Sequence, residues 1–194
     1  MTNTFMTREE LDAIGFKSIG NDALISKNAC IHGAGNIELG NHVRIDDFCF
    51  LSGRIKLGNY VHLTAGVYLY GSLAGIEFED YTTAAPRTTI HADTDDYSGV
   101  AMTNPLVPAQ YTNVKHAPVL VREHTIIGSG CVILPGVTLE TGTAIGAMSL
   151  VAESTEPWTI NCGIPCKVLK QRSKDLLLLH SQWQQEQLEL RAEL

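Results

Sequence analysis

The sequence predicts an all-β chain: a parallel β-helix wound as a triangular prism, about 18 residues per turn. A short N-terminal helix, a long inserted loop and a C-terminal helix complete it. Three observations carry this. An aliphatic residue or cysteine returns at every sixth position from Ile19 to Leu73, through Ile25, Ile31, Ile37, Val43, Cys49, Ile55, Val61 and Val67. A second series, Leu39, Ile45, Leu51, Leu57, Leu63 and Leu69, recurs by six beside it. The repeat then resumes as Val121, Ile127, Ile133, Leu139, Ile145 and Val151. Six is neither the helical nor the simple strand period. It is the period of a coil whose short segments each form one flat face.

The elements follow in order. Thr7 with Glu10 forms a capping box, Glu9 adds favourable charge to the first turn, and Gly15 stops a helix over residues 7–14. The first β-helix block covers 16–90. Within each hexad the first position points inward. The fifth, near a corner, is small or β-branched. Gly-Asn and Asp-Asp pairs after the first position supply the turns, as in Leu39-Gly40-Asn41. Phe78, Ala84 and Ile90 keep the spacing but are displaced by three residues after Gly75, which implies a bulge or an extra corner.

Residues 91–117 break the period and contain ADTDDYSG, TNPLVP and QYTNVKHAP. An aperiodic loop of this length, rich in aromatic and paired acidic residues, is expected to be functional. The second block covers 118–152, with Thr125, Cys131, Val137, Thr143 and Ser149 as its small corner residues. PWTINCGIPCKVLKQR closes the prism as an extended tail. Residues 174–194 read as a helix with Leu176, Leu179, Trp183, Leu190 and Leu194 mostly on one stripe. The whole chain, 1–194, is expected to be one domain.

Composition removes several classes. A net charge of −7 without any Lys/Arg run argues against nucleic acid as a partner. No apolar stretch reaches spanning length and the start MTNTFMTREE is polar, so no membrane insertion and a cytoplasmic location are expected. Five cysteines are an odd count. Cys49 and Cys131 sit at hexad positions, and Cys162 and Cys166 lack CxxC spacing, so a disulfide framework is not expected.

Ile127-Gly128, Ile133, Pro135-Gly136-Val137 and the closing Gly163-Ile164-Pro165-Cys166-Lys167 resemble the hexapeptide-repeat acyltransferases. The likeness covers nearly the whole chain, with Cys166 where that family commonly has alanine. It implies a left-handed coil, an exception to the usual right-handed crossover. It also implies a homotrimer, acetyl-CoA as co-substrate, and active sites between neighbouring prisms. The DDYSG loop and C-terminal helix are similar to the branch that acetylates sugars or nucleotide sugars, as in surface polysaccharide biosynthesis.

Acyl transfer needs a base for the attacking group's proton, stabilisation of the oxyanion, and two substrates held together. Relatives place a histidine where the long loop leaves the coil. That position corresponds to His91, the first choice for the base, with Asp96 and His116 as further candidates. Asp95, Asp96 and Tyr97 suit a sugar acceptor, because carboxylates accept hydroxyl hydrogen bonds and tyrosine offers a flat face. Asn104 and Tyr111 are placed in the same cleft. By motif position Gly128, Ser129, Gly146 and Ala147 match residues that line the pantetheine arm. Lys167, Lys170 and Arg172 are the candidates for the nucleotide phosphates.

The acceptor atom is expected to be a sugar hydroxyl, with the amine of an amino-deoxy nucleotide sugar as the alternative and a non-catalytic scaffold as the second. A metal enzyme on the same coil would require converging histidines. The seven present show no five-residue pair, and no metal is expected. A sugar nucleotidyltransferase is excluded because no Gly-rich βαβ pattern precedes the coil.

Overall fold

In the computed structural model, which describes residues 4–192, the chain winds as a left-handed parallel β-helix with three flat faces. The first face stacks six strands, from Ser18–Ile19 to Thr138–Leu139. The second runs from Leu24–Ile25 to Thr159–Cys162 and gains Lys167–Gln171 as an antiparallel cap. The third runs from Cys30–His32 to Leu150–Val151.

The two hexad series form the core. Leu39, Ile45, Leu51, Leu57, Leu63 and Leu69 are at most 3% exposed, as are Ile37, Val43, Cys49, Ile55, Val61 and Val67. Each stacks on its equivalent one coil away, so the ladders remove apolar surface continuously along the axis. At the corners Thr125, Thr143 and Ser149 are buried, and their hydroxyls donate to the carbonyls of Glu140, Glu156 and Gly146. A hydroxyl fits there because the turning backbone presents an acceptor within reach.

The uninterrupted six-residue run from Ile19 conceals a change of register. Ile19, Ile25 and Ile31 stack on Leu39, Ile45 and Leu51, a separation of 20. They therefore belong to the second series, not to the line of Ile37, Val43 and Cys49. The 3-10 turn Ala34–Asn36 adds two residues to the first coil and moves the frame. Leu73, the last member of the run, is 71% exposed on a bulging corner. That corner is the predicted displacement: Leu57 pairs with Phe78 and Leu69 with Ile90, 21 residues apart.

The corner between the first and second faces places His42, Tyr60, Tyr81, His124 and Trp158 at φ from 55° to 60°. Left-handed backbone is costly for large side chains. Here the rings recover part of that cost by stacking along the prism: His42 on Tyr60 at 4.5 Å, Tyr60 on Tyr81 at 5.1 Å, Tyr81 on His124 at 5.3 Å. Just before them an amide ladder runs in parallel, with Asn41 Oδ1 accepting from the Asn21 amide, Asn59 Oδ1 from Asn41, and Asp80 Oδ1 from Asn59.

The N-terminal helix α1, Arg8–Ile14, has the predicted capping box and a left-handed Gly15 at its end. The C-terminal helix α2 spans Leu176–Ala192 and lies against the aromatic corner. Its docked stripe differs from the predicted one. Leu176, His180, Trp183 and Gln187 are half-buried, whereas Leu179 and Leu190 are exposed; Leu194 lies outside the described residues. Ring edges set the docking rather than leucine packing, with His180 over Tyr81 at 4.3 Å and Trp183 over Tyr60 at 5.1 Å. Among the described residues no helix is long and apolar enough to cross a membrane.

Candidate active site

The long loop leaves the prism from the third face. His91 is the last residue of the strand Thr89–His91, and Ala92 behind it is fully buried. Asp93–Thr94 then pairs antiparallel with Lys115–His116, so the excursion begins and ends in one short ribbon. Between the ribbon and the prism lies a cleft of about 670 Å³. It gathers His91, Asp95, Tyr97 and Asn104, four of the predicted residues, over Val132 and Leu134 of the next coil.

His91 is half-buried and stacks on Tyr70, with ring centroids 4.9 Å apart and planes within 7°. Burial lowers its pKa from the usual histidine value, and the Asp93 carboxylate opposes this only in part. The imidazole is therefore neutral at physiological pH, the form that accepts a proton. Among the described residues no side chain hydrogen-bonds to it, which leaves its lone pair to the cleft.

Asp96 has a different position. Its side chain points into the loop, where Oδ1 accepts from the Ser98 amide at 2.7 Å and the Ser98 hydroxyl at 2.5 Å, and Oδ2 from Asn113 Nδ2 at 2.9 Å. Those bonds to Ser98 and Asn113 hold its pKa down at about 2. An acid so weakly basic, with its oxygens occupied, is a poor proton acceptor. Asp96 ties the two strands of the excursion together, and the cleft above it is lined by its neighbours Asp95 and Tyr97. His116 is not among the residues that line the cleft: Nδ1 lies 2.9 Å from the Ser72 hydroxyl and 3.9 Å from Asp93. Tyr111 lines a separate depression with Val100 and Met102.

The residues matched to the pantetheine arm form one stacked corner. Gly128 lies so close to the next coil that a Cβ would sit 2.5 Å from the Ala147 amide, and one on Gly146 would meet the Cys162 Cβ at 2.9 Å. Close approach of the next coil, by its backbone at Gly128 and by the Cys162 side chain at Gly146, favours glycine at both. Ser129 and Ala147 stand exposed on the outside of that corner. Lys167 and Lys170 are exposed on the antiparallel cap strand. Arg172 has a structural engagement: Nη1 donates to the carbonyls of His124 at 2.8 Å and Gly142 at 2.9 Å, pinning the tail to the prism.

Sequence reading missed Asp93, Val107, Val132 and Leu134 as cleft residues. A signal for two of them existed. Ile90 pairs with Ile133, so the outward neighbours of Ile133 must flank the coil position of His91.

A left-handed β-helix carrying a histidine-floored cleft under an inserted loop defines the class, an acyltransferase built on hexapeptide repeats. No family model matches the chain. Over 180 residues, 91% of this chain and 93% of the relative, it is 42% identical to a dTDP-4-amino-4,6-dideoxy-D-glucose acyltransferase of Escherichia coli. It superposes with a TM-score of 0.93 and 43% identity on a variant of an N-acyltransferase from Bacillus cereus. That structure, in complex with dTDP-4-amino-4,6-dideoxyglucose and coenzyme A, is matched over 96% of this chain and 100% of that chain. A maltose O-acetyltransferase from Clostridium difficile shares the fold at a TM-score of 0.57 and 23% identity, over 86% of this chain and 75% of that one. The chain belongs to the hexapeptide-repeat acyltransferase family.

Proposed function

We propose that the enzyme transfers an acyl group from acyl-CoA, acetyl-CoA in the simplest case, to the 4-amino group of a dTDP-linked 4-amino-4,6-dideoxyhexose. The observation that carries this is the end-to-end likeness, 42–43% identical, to two acyltransferases named for or solved with that amino sugar. The likeness to an O-acetyltransferase extends to the fold alone. The acceptor expected from sequence, a hydroxyl, therefore gives way to the amine.

The chemistry fits the cleft. The amine nitrogen attacks the thioester carbonyl, the C–N bond forms, the C–S bond breaks, and the thiolate leaves. An amine is already nucleophilic when unprotonated and gives up its proton late, so it needs less help from a base than a hydroxyl does. His91, neutral and open to the cleft, takes that proton. Asp95, Tyr97 and Asn104 hold the sugar. The pantetheine arm lies along the Gly128–Ser129 and Gly146–Ala147 corner, and Lys167 and Lys170 meet the nucleotide phosphates of the coenzyme. The enzyme acts as a homotrimer in the cytoplasm, with each cleft completed by a neighbouring prism.

The test is thiol release from acetyl-CoA and 3-hydroxybutyryl-CoA with dTDP-4-amino-4,6-dideoxyglucose as acceptor and dTDP-glucose as the hydroxyl control. Amide formation on the amino sugar, confirmed by product mass, is the expected result. Turnover on the hydroxyl sugar without turnover on the amine would overturn the reading. Sedimentation is expected to give three chains per particle.

A further inference from the structure

None of the residues assigned above to acyl transfer lies in the seam between α2 and the prism. There His180 lies edge-on to Tyr81, and its ring centroid is 4.9 Å from that of His124. The Nε2 atom of His180 is buried without a hydrogen-bond partner. The His124 side chain is only 8% exposed, and its Nε2 stands 3.6 Å from Glu123 Oε1. One ligand atom from each of Glu123, His124 and His180 lies within 4.8 Å of the other two.

We propose that Glu123, His124 and His180 form a binding site for a divalent transition-metal ion that staples the C-terminal helix to the β-helix. An unsatisfied buried nitrogen is costly, and native structures rarely leave one without a partner. Two imidazoles and a carboxylate are the donor set of zinc and its neighbours rather than of calcium or magnesium, which prefer oxygen. Bonds of about 2.0–2.1 Å in a tetrahedron bring such ligand atoms to roughly 3.3 Å apart. The three therefore close by an ångström or so, within the play of a helix docked through ring edges. The nearby Arg172 guanidinium opposes a cation, but it is engaged by backbone carbonyls, and Glu123 supplies countercharge. A solvent molecule takes the remaining position. Because the ligands come from the prism and from α2, far apart in sequence, the ion binds only the docked helix.

Isothermal titration of Zn²⁺ into the metal-stripped full chain tests this. About one ion per chain is expected. At a hundredfold excess over the dissociation constant the thermal midpoint should rise by roughly 5–10 °C. His180→Gln and Glu123→Gln, both at partly exposed positions, should retain the circular dichroism of the parent and weaken binding by roughly 10–100-fold or more. Cobalt in place of zinc should give a visible tetrahedral absorption that His180→Gln removes. No saturable binding, or binding that neither substitution weakens, would overturn the site.

Discussion

The prism and its inserted loop are held by opposite means. The prism repeats one solution, an inward aliphatic pair per hexad, and nearly every such residue is buried. The loop buries little beyond Ala92 and Asp96 and exposes Tyr97, Val100, Leu106 and Tyr111. It keeps its shape through polar contacts around one ionised carboxylate, with Ser98 and Asn113 as partners. Apolar burial is strong and undirected, so the rod tolerates small register changes at Ala34–Asn36 and Gly71–Gly75. Charge-assisted hydrogen bonds are fewer but directional, so the loop presents its residues at fixed angles over the third face.

Changes that break each region should therefore fail differently. The largest effect is expected from Ile45→Asp, which places a carboxylate on a ladder position that is fully buried. Its cost exceeds the usual mutational range and approaches the total stability of a typical domain. Urea titration should show no cooperative transition. Leu24→Asp, outward-facing and 44% exposed, should shift the midpoint little; equal damage from both would refute the inward register.

Next comes Asp96→Asn. The polar hub loses its charge, and acyl transfer should fall by roughly 10–10²-fold while circular dichroism stays that of the parent. A thermal midpoint lowered as far as that of a ladder variant would show that the loop is part of the core after all.

A smaller loss is expected from His91→Gln, about tenfold in kcat/KM on the amino sugar with little change in acyl-CoA affinity, and more on any hydroxyl acceptor. The parent's rate should rise with pH through an apparent pKa below the usual histidine value, because burial favours the neutral ring. Unchanged turnover in the variant would remove His91 from proton transfer.

The smallest effect concerns stability against pH. His91 and His124 both have lowered values in the folded chain. Between those values and about 6.5 the unfolded chain binds more protons, so stability is fully present above that window and is lost as pH falls through it. Thermal midpoints in EDTA should drop from pH 7.5 to 5.5, and substituting both histidines by glutamine should flatten the slope. A midpoint that rises on acidification would contradict the burial of these rings.

The contrast also explains what could be read from the sequence. The hexads Leu39 to Leu69 and Val121 to Val151 identify the prism, because each coil repeats the same local demand. His91 at the exit of the loop, and Asp95, Tyr97 and Asn104 within it, were legible as a cleft by residue type. Asp96 and His116 were not separable from them, since a carboxylate that lines a cleft and one that anchors a loop look alike in sequence. Only their partners Ser98, Asn113 and Ser72 distinguish the roles.

The sequence by itself determined the architecture, the coil length and the two inward ladders, because a period of six encodes side-chain direction residue by residue. The tertiary structure alone decided that Ile19, Ile25 and Ile31 join the other ladder, that Arg172 serves the backbone, and that His180 meets His124. Those outcomes depend on where a short turn, a tail or a helix comes to rest against distant coils. Such contacts join residues whose separation along the chain follows no repeat.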